Sequence, residues 1–277
     1  MGRAWLTPEL AERLLAAVRE GRPALRVSLD LGLTETDVRL SAGSASLGDA
    51  GDLPTSDLAE IADATRGVFL VEDGPAEPIQ IAADLFYKLI PTAGAPTIEI
   101  SGIQMHRTTG TDPFENAVAS ARTVVRRDMR VLDTCGGLGY TAVAAVRLGA
   151  ESVTSVEVDP RVWEVARRNP WSAEYFSDPK IERVRADAAE FVSEQRDGAY
   201  DAVIHDPPRF SRAGELYGGA FYAGLARVLR PGGRLFHYTG EPYGRRRSFV
   251  GGVIRRLREA GFRVRRVERL QGVVARR

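Results

Sequence analysis

The residues best suited to chemistry in this 277-residue chain begin with a glycine-rich run, Asp133-Thr-Cys135-Gly-Gly137-Leu-Gly139, between a predicted strand and a predicted helix. Glycines let the backbone turn sharply beside a ligand, and the N–H groups at a helix start can receive a carboxylate or phosphate. Glu157 ends the next predicted strand, where a carboxylate can accept hydrogen bonds from both ribose hydroxyls. The pattern predicts a nucleoside site, although a glycine-rich turn alone can be only a tight strand-to-helix connection.

Two later features favour S-adenosylmethionine over a nicotinamide cofactor, which would also use Glu157. Asp187 and Ala188 follow the third predicted strand, where an acid can accept a hydrogen bond from an adenine amine. The run Asp206-Pro-Pro-Arg-Phe210 follows the fourth strand, and a dehydrogenase has no reason to carry it. The four signals in this order are far more specific than any one of them.

The run after the fourth strand also supplies candidates for catalysis. Asp206 and the carbonyl of Pro207 can accept hydrogen bonds from an amine or hydroxyl nucleophile and orient its lone pair. Phe210 could stack on a planar acceptor, and Tyr217 is the aromatic residue most suited to line the site and face a sulfonium. His106 lies in a predicted loop and could act as a general base. His205 and His237 lie in predicted strands, where each could act as a general base or instead be a core residue or one that supports the site.

The elements that position these residues fall into two predicted domains, 1–100 and 101–277. In the first, Thr7 and Pro8 predict a helix start, and the helix stops at Gly21-Arg-Pro23. A short helix is expected around Asp57 to Ala64, and the rest is β-rich. The predicted strands are Leu25 to Leu33, Val38 to Leu40, Val68 to Val71 and Thr97 to Ile100.

The second domain alternates strands and helices, which predicts a mostly parallel sheet covered on both faces, with ligands at the carboxyl ends of its strands. The fold class is therefore α/β, Rossmann-like, with seven strands and a small β-rich N-terminal domain. Two final segments around Val264 and Val273 predict an antiparallel hairpin. The other predicted strands are Met129 to Asp133, Ser152 to Glu157, Ile181 to Val184, Tyr200 to His205 and Gly233 to Tyr238.

Residues 99 to 275 resemble the class I S-adenosylmethionine-dependent methyltransferase superfamily. The resemblance implies that Asp133, Cys135, Gly137 and Gly139 contact the methionine part of the cofactor, with Cys135 standing where many members have glycine. It further implies a set of residues along the adenosine and the reacting centre. These are Glu157 with Val158 at the ribose, Asp187 with Ala188 at the adenine, and Asp206 with Pro207 beside the reacting centre.

Two branches of the superfamily are most similar. Ile103-Gln-Met-His106, Asn169-Pro-Trp171-Ser and Ala213-Gly-Glu215-Leu-Tyr217 resemble a group of predicted archaeal methyltransferases. The β-rich N-terminal domain and the order of residue types from Tyr200 to Asp206 resemble spermidine synthase. Gln104 resembles the glutamine with which that enzyme holds its ligand, which implies a contact to the cofactor's methionine end.

The transferred group is left open by motif order, because a sulfonium has three electrophilic carbons. Polyamine synthases typically have a second acid three residues after the first, whereas this chain has Arg209, which would repel a polyamine. We therefore expect a methyltransferase acting on an amine or hydroxyl. The alternative is an aminopropyl or aminocarboxypropyl transferase, or a cyclase, of spermidine-synthase-like type that releases methylthioadenosine.

Composition restricts the remaining possibilities. No apolar run is long enough for a membrane span, and no signal peptide is evident, so we expect a cytoplasmic protein. Cys135 is the only cysteine, which excludes a disulfide framework and a cysteine-built metal site.

The acceptor could be a small molecule or RNA. From Arg245 to Arg277 arginines far outnumber acids, which indicates either phosphate binding or one solvated strand face. Exposed strand edges in the first domain could pair two chains as a homodimer.

Overall fold

The computed structural model of the protein describes residues 2–210, 213–240 and 247–277. The chain forms two compact units: Met1–Pro113 with Glu164–Ala173, and Phe114–Trp163 with Glu174–Arg277. The sequence predicts a single boundary between residues 100 and 101. It does not predict that the chain returns to the first unit over Glu164–Ala173. Such a return has no sequence signature, because it depends on long-range contacts.

Antiparallel strands dominate the first unit and form three small sheets, in the orders β1-β6-β7, β2-β3-β4-β5 and β11-β10-β9-β8. Two helices lie in this unit, α1 at Pro8–Arg19 and α2 at Thr55–Ala62. The strands are β1 Ala4–Leu6, β2 Ala24–Val27, β3 Thr36–Leu40, β4 Ser44–Ser46, β5 Asp52–Pro54, β6 Phe69–Val71, β7 Glu77–Pro78, β8 Gln80–Ala82, β9 Phe86–Ile90, β10 Thr97–Ile100 and β11 Ile103–Gln104.

The first helix confirms its sequence signals, since the Thr7 side chain accepts from the Leu10 amide at 3.2 Å. The predicted strand Leu25 to Leu33 is wrong in its second half, because β2 ends at Val27. Ser28 Oγ accepts hydrogen bonds from the amides of Asp30 and Gly32, and Asp30 Oδ1 accepts from the Thr34 amide. These side-chain hydrogen bonds replace the backbone hydrogen bonds of strand pairing. They fold the backbone into a turn although apolar residues alternate from Leu25 to Leu33.

Two tryptophans explain why Glu164–Ala173 belongs to the first unit. The Trp5 indole N–H donates to the Arg168 carbonyl at 2.7 Å, and the Trp171 indole N–H donates to the Leu31 carbonyl at 3.0 Å. An indole N–H that is removed from water needs such a partner, so the two bonds anchor this short segment to β1 and to the turn after β2.

A seven-stranded sheet organises the second unit, in the order β14-β13-β12-β15-β16-β18-β17, with β18 antiparallel to both its neighbours. The strands are β12 Arg130–Asp133, β13 Ser152–Glu157, β14 Ile181–Arg185, β15 Tyr200–His205, β16 Leu229–Tyr238, β17 Arg263–Val267 and β18 Gly272–Arg276. The remaining helices of the chain are α3 Pro113–Val124, α4 Tyr140–Arg147, α5 Pro160–Arg167, α6 Ala173–Ser177, α7 Ala188–Glu194, α8 Gly219–Val228 and α9 Arg247–Glu259.

This sheet confirms the predicted fold class, a mostly parallel Rossmann-like sheet beside a small β-rich region. All six residues of β15 are buried, as expected for a central parallel strand covered on both faces. Because β12, β13 and β15 are adjacent and parallel, their carboxyl ends bring Asp133, Glu157 and Asp206 to the same edge. In the described part of the chain, no helix combines the length and apolar content that a bilayer crossing needs.

The glycine turn between β12 and α4 is constrained at Gly139, which precedes the helix with φ +83°. A Cβ at this position would lie 2.1 Å from Cγ of Tyr175, a fully buried ring. Gly137 also has a positive φ, +53°, but an added Cβ would meet no atom within 4 Å. The turn is therefore packed shut at Gly139 and open at Gly137.

This difference predicts unequal effects of two alanine substitutions. Gly139→Ala should lower the free energy of unfolding by about 3 kcal/mol or more, because it combines a strained φ with overpacking against Tyr175. Gly137→Ala should cost only about 1 kcal/mol, the backbone part alone. Urea unfolding of both variants measures the difference, and equal losses would contradict the packing at Gly139.

Candidate functional site

A hydrogen-bond clamp joins the glycine turn to the second strand. Glu157 Oε2 accepts from the Gly137 amide and Oε1 accepts from the Asp159 amide, each at 2.9 Å. An ionised carboxylate offers about four acceptor sites, so both oxygens retain capacity for a ligand's hydroxyl groups. The two predicted cofactor residues, Glu157 and Gly137, are therefore in direct contact, and the carboxylate is oriented before any ligand arrives.

The same bond corrects one expectation about the turn. The sequence suggests that its N–H groups are unpaired and can receive the cofactor's carboxylate. Instead, the Gly137 amide donates to Glu157, and the Gly139 amide donates to the carbonyl of Gly136 at 2.7 Å. The strand acid competes for the first amide and the tight turn consumes the second, which motif spacing alone does not reveal.

Asp133 is fully buried at the end of β12. Its Oδ2 accepts from the hydroxyls of Thr141 and Ser155, both at 2.9 Å, while Oδ1 is buried without a hydrogen-bond partner among the described residues. Burial raises the pKa of Asp133 to about 6. Since a buried unpaired oxygen is costly, the free Oδ1 is suited to a donor from a ligand, such as an ammonium group.

Cys135 follows in the same turn, and its thiol is not a nucleophile. Burial raises the pKa of Cys135 well above its usual value, and the charges of Glu157, Asp133 and Asp206 raise it further. The thiol therefore stays protonated and serves as a small packing group. The same electrostatic contributions place three carboxylates around this residue.

Asp206 is the half-buried first residue after the central strand β15. Burial raises the pKa of Asp206 to about 7, and the charge of Asp133 contributes in the same direction. Within the described residues no group donates a hydrogen bond to its carboxylate. A carboxylate with a near-neutral pKa and free lone pairs can accept a proton from a nucleophile.

The loop after Asp206 is held by Tyr217. The Tyr217 hydroxyl donates to the carbonyl of Pro208 at 2.9 Å, and its side chain is buried. Pro207 is buried, whereas Phe210 is 52% exposed and meets the Tyr217 ring edge-on at 5.6 Å between centroids. Tyr217, a predicted catalytic residue, thus has its hydroxyl engaged in holding the loop, which is a positioning role.

The predicted adenine residues have a structural role as well. Asp187 caps α7, where its Oδ1 accepts from the amides of Ala189 and Glu190 at 2.7 and 3.0 Å. This cap explains an aspartate here without a ligand and leaves Oδ2 for one. Ala188 is buried, while Val158, next to the clamp, is 60% exposed and presents an apolar surface suited to a planar base.

The two strand histidines are core residues, one of the alternatives that the sequence leaves open. The ring of His205 lies between the hydroxyl of Thr134, at 2.7 Å from Nδ1, and the carbonyl of Leu216, at 3.0 Å from Nε2. His237 Nε2 lies 2.9 Å from the hydroxyl of Tyr222. Burial lowers the pKa of His205 to about 3 and that of His237 well below its usual value, so both rings are neutral.

Gln104 and His106 both lie in the first unit. Gln104 Oε1 accepts from the Thr108 hydroxyl at 3.3 Å. His106 Nδ1 lies 2.9 Å from the Thr97 hydroxyl, and burial lowers the pKa of His106 to about 4. The ring is half-buried and neutral at pH 7, which differs from the exposed loop histidine expected from the sequence.

The residues near Cys135 fit S-adenosylmethionine. The ligand is a cation carrying a second positive charge on its ammonium group, and Asp133, Glu157 and Asp206 offer three carboxylates with unfilled acceptor sites. Gly137 leaves open space at the turn, and Val158 is an exposed apolar contact. The cationic groups, the ribose and the adenine therefore each have a candidate residue, whereas the carboxylate of the ligand does not find free amides at Gly137 and Gly139.

Sequence reasoning missed the two hydroxyl residues that hold Asp133, although signals for them exist. Ser155 lies on the same face of β13 as Val153 and Glu157 and is fully buried, and Thr141 lies in the first turn of α4. A hydroxyl at either place is explained by a buried carboxylate beside it.

The arginine-rich C-terminal segment includes a strand with exposed arginines. On β17, Arg263, Arg265 and Arg266 are exposed while Val267 is buried. Arg245 and Arg246, at the start of the basic segment, lie outside the described residues. Because successive side chains of a strand point to opposite faces, Arg265 and Arg266 place exposed charge on both faces of β17, and phosphate binding by this segment stays a prediction.

Comparison with known proteins gives a family and a set of relatives. The spermine/spermidine synthase domain family matches residues 118–266. An uncharacterized protein of Methanocaldococcus jannaschii is 41% identical over 278 residues, covering 98% of this chain and 94% of that protein. Putrescine N-methyltransferase 4 of Nicotiana tabacum is 32% identical over 140 residues, 49% of this chain and 36% of that enzyme.

The fold is also found among solved structures. A spermidine synthase in complex with the transition-state analogue AdoDATO superposes with a TM-score of 0.60 at 22% identity, covering 71% of this chain and 72% of that one. At this identity the match supports a common fold.

The raised pKa of Asp206 predicts that Asp206→Asn stabilises the protein at high pH. In the folded state its pKa is about 7, above the ordinary value of 3.8, so the cost of ionising it is absent below about pH 4, grows between pH 4 and 7, and is complete above pH 7. At about 1.4 kcal/mol per pKa unit over roughly three units, the variant should gain on the order of 4 kcal/mol at pH 8 and almost nothing at pH 4. Urea unfolding across pH 4 to 8 measures the gain.

Asp201→Asn, on the same strand, is the control. Asp201 accepts from Arg230 Nε at 2.6 Å and from the Arg130 amide at 2.7 Å, so its loss should destabilise the protein at pH 8. A gain from Asp206→Asn that does not change with pH would mean that Asp206 is not held at a raised pKa.

Proposed function

Because the chain belongs to the spermine/spermidine synthase domain family, we propose that it transfers the methyl group of S-adenosylmethionine to an amine or hydroxyl acceptor. Family membership makes the protein a transferase that uses a ligand related to S-adenosylmethionine. The choice of the methyl group is supported by the tobacco relatives, whose names give N-methylation of putrescine. The observation that carries the proposal is the unpartnered, half-buried carboxylate of Asp206 at the end of the central strand.

The proposed binding roles follow from the geometry of the site. Glu157 would hold the ribose hydroxyls, since two backbone amides fix its carboxylate and leave acceptor capacity. Asp133 would accept from the ammonium group through its unpaired Oδ1. Val158 would cover one face of the adenine, and Asp187 would use Oδ2 for the adenine amine while Oδ1 remains the helix cap.

S-adenosylmethionine, when bound, supplies a methyl carbon whose bond to sulfur breaks, with the electron pair passing to sulfur, as the acceptor's lone pair forms the new bond. Asp206 accepts a hydrogen bond from the acceptor and takes the proton that the new bond releases. Its pKa of about 7 suits this role, because the carboxylate is available near neutral pH and holds the proton afterwards. Tyr217 keeps the loop in place through Pro208.

The charge of the acceptor loop argues against a polyamine acceptor. Arg209 stands three residues after Asp206, where the polyamine synthases that this chain resembles typically have a second acid. Its side chain is exposed and has no ion-pair partner in the described residues. A guanidinium stays protonated at every physiological pH, so it would repel the cationic end of a diamine.

The reaction product tests the proposed function directly. The full-length protein, incubated with S-adenosylmethionine and the small-molecule fraction of a cell extract, should yield S-adenosylhomocysteine by mass spectrometry. Asp206→Asn should lower this yield by about 10²- to 10⁴-fold, the usual contribution of a positioned base. Its affinity for the cofactor, measured by calorimetry, should change by less than about threefold, because Asp206 acts on the acceptor.

Glu157→Gln provides the opposite pattern. It removes a charged acceptor from the ribose, so cofactor affinity should fall roughly ten- to a hundredfold. Methylthioadenosine as the sulfur product would instead establish transfer of the aminopropyl or aminocarboxypropyl carbon. A loss of cofactor affinity confined to Asp206→Asn would reverse the two assigned roles.

Arg209→Asp tests the part that charge plays in acceptor choice. Restoring an acid three residues after Asp206 should allow putrescine to be methylated at a measurable rate, whereas the unmodified protein should methylate it at least tenfold more slowly. Arg196→Asp makes the same charge change at another exposed position and should have no effect. Equal putrescine turnover in all three proteins would remove the argument from Arg209.

A further inference from the structure

A pocket of about 380 Å³ lies within the second unit beside the Asp206 loop. Its lining comes from that loop, from the turn Gly214–Tyr217 and from α9. The residues are Phe210, Gly214, Tyr217, Gly218, Phe249, Gly252 and Arg256. Three of them are glycines, so most of its side-chain surface comes from three aromatic rings and one guanidinium.

The three rings pack against one another. The Phe210 and Phe249 centroids are 5.5 Å apart at 66°, and Tyr217 lies 5.6 Å from each of them. Phe210 meets both of the other rings edge-on and keeps 52% of its surface exposed. An exposed ring supported on two sides is suited to stacking on a flat molecule.

Arg256 gives the pocket a positive charge without an internal counterion. Its Nε donates to the carbonyl of Tyr217 at 2.9 Å, and the group is half-buried. Within residues 2–210, 213–240 and 247–277, no carboxylate pairs with it, whereas Arg227 and Arg230 pair with Asp197 and Asp201. A partly buried guanidinium has further N–H donors and gains most from a planar anion such as a carboxylate or phosphate.

Tyr217 connects this pocket to the reacting carboxylate. Its hydroxyl holds Pro208, two residues after Asp206, and its ring lines the pocket. After burial, the charge of Asp206 is the next cause that raises the pKa of Tyr217, in agreement with the hydrogen bond that joins Tyr217 to the Asp206 loop. A molecule stacked on Phe210 would therefore have one end toward Arg256 and a neighbouring part toward Asp206.

We propose that this pocket binds the acceptor of the methyl transfer, and that the acceptor is a small planar aromatic molecule carrying an anionic group. The role of the ligand as methyl acceptor rests on the proposed function, whereas the binding of a planar anion in this pocket does not. Arg256 pairs with the anionic group, and Phe210 stacks on the ring. The amine or hydroxyl to be methylated lies at the part of the molecule near Asp206.

Matched probes test the chemistry of this pocket without the cofactor. We would titrate the full-length protein with 4-aminobenzoate, neutral 4-aminobenzamide, 4-aminophenyl phosphate and the non-planar 4-aminocyclohexanecarboxylate, using calorimetry and ligand-observed NMR. The two aromatic anions should bind at least tenfold more tightly than the amide, the typical value of one charge-assisted hydrogen bond. The tighter of the two identifies the anionic group as carboxylate or phosphate.

Substitutions on α9 test whether Arg256 causes the preference for aromatic anions over the neutral amide. Arg256→Gln should bring the aromatic anions and the amide to equal affinity, whereas Arg255→Gln, an exposed arginine of the same helix, should leave the tenfold difference intact. Arg256→Lys keeps the charge without the planar fork and should retain part of the difference. Thermal unfolding of each variant checks that the fold is preserved.

Three results would overturn the inference. These are equal binding of amide and anions by the unmodified protein, equal losses in Arg255→Gln and Arg256→Gln, or displacement of the probes by spermidine or bulk tRNA. Failure of the proposed function is distinguishable, because it would appear as absent S-adenosylhomocysteine while probe binding persists. Conversely, methyl transfer to a cationic acceptor with no probe binding would leave the function standing and remove this pocket from it.

Discussion

Three carboxyl groups, Asp133, Glu157 and Asp206, share a poorly solvated space at the carboxyl ends of adjacent parallel strands, and the rest of the site follows from this constraint. Burial raises the pKa of each one, and Asp133 receives a further contribution from Glu157 and gives one to Asp206. Without a ligand, their mutual repulsion and desolvation lower the stability of the fold. The sulfonium and ammonium groups of the proposed ligand, whose carboxylate leaves a net charge of +1, would relieve part of these costs at Asp133 and Glu157, so we expect this end of the site to favour cationic groups.

The surrounding polar residues stabilise this arrangement without adding charge. Hydroxyls of Thr141 and Ser155 support Asp133, and two backbone amides support Glu157. Beneath Asp206, the neutral His205 joins Thr134 to the carbonyl of Leu216. Since these donors and acceptors are uncharged at neutral pH, they fix positions while leaving the carboxylates as the main source of the local field.

Sequence reasoning succeeded where local pattern determines structure. Strand β15 was predicted to the residue, since six buried positions leave little choice of boundary. It failed where a side chain replaces the backbone hydrogen bonds of a strand, as at Ser28. It also failed where the contacting residues are far apart in the sequence, as with Trp5 and Arg168. In the site, the spacing brought Glu157 to the glycine turn, but it could not reveal that Glu157 takes the Gly137 amide or that α9 places Arg256 beside Phe210.

The residues of the proposed site differ in charge from one side to the other. Asp133 and Glu157 are acids that would lie toward the sulfonium compound, whereas Arg209 and Arg256 are cations that would lie on the side proposed for the acceptor. The proposed methyl transfer would leave a neutral thioether in place of the sulfonium, so one positive charge near the carboxylates would be lost. The proton released by the acceptor can pass to Asp206 at the same stage and neutralise one of those carboxylates. The repulsion would therefore be only partly restored, and Asp206 must lose this proton before it can act as a base again, which its pKa of about 7 permits at neutral pH.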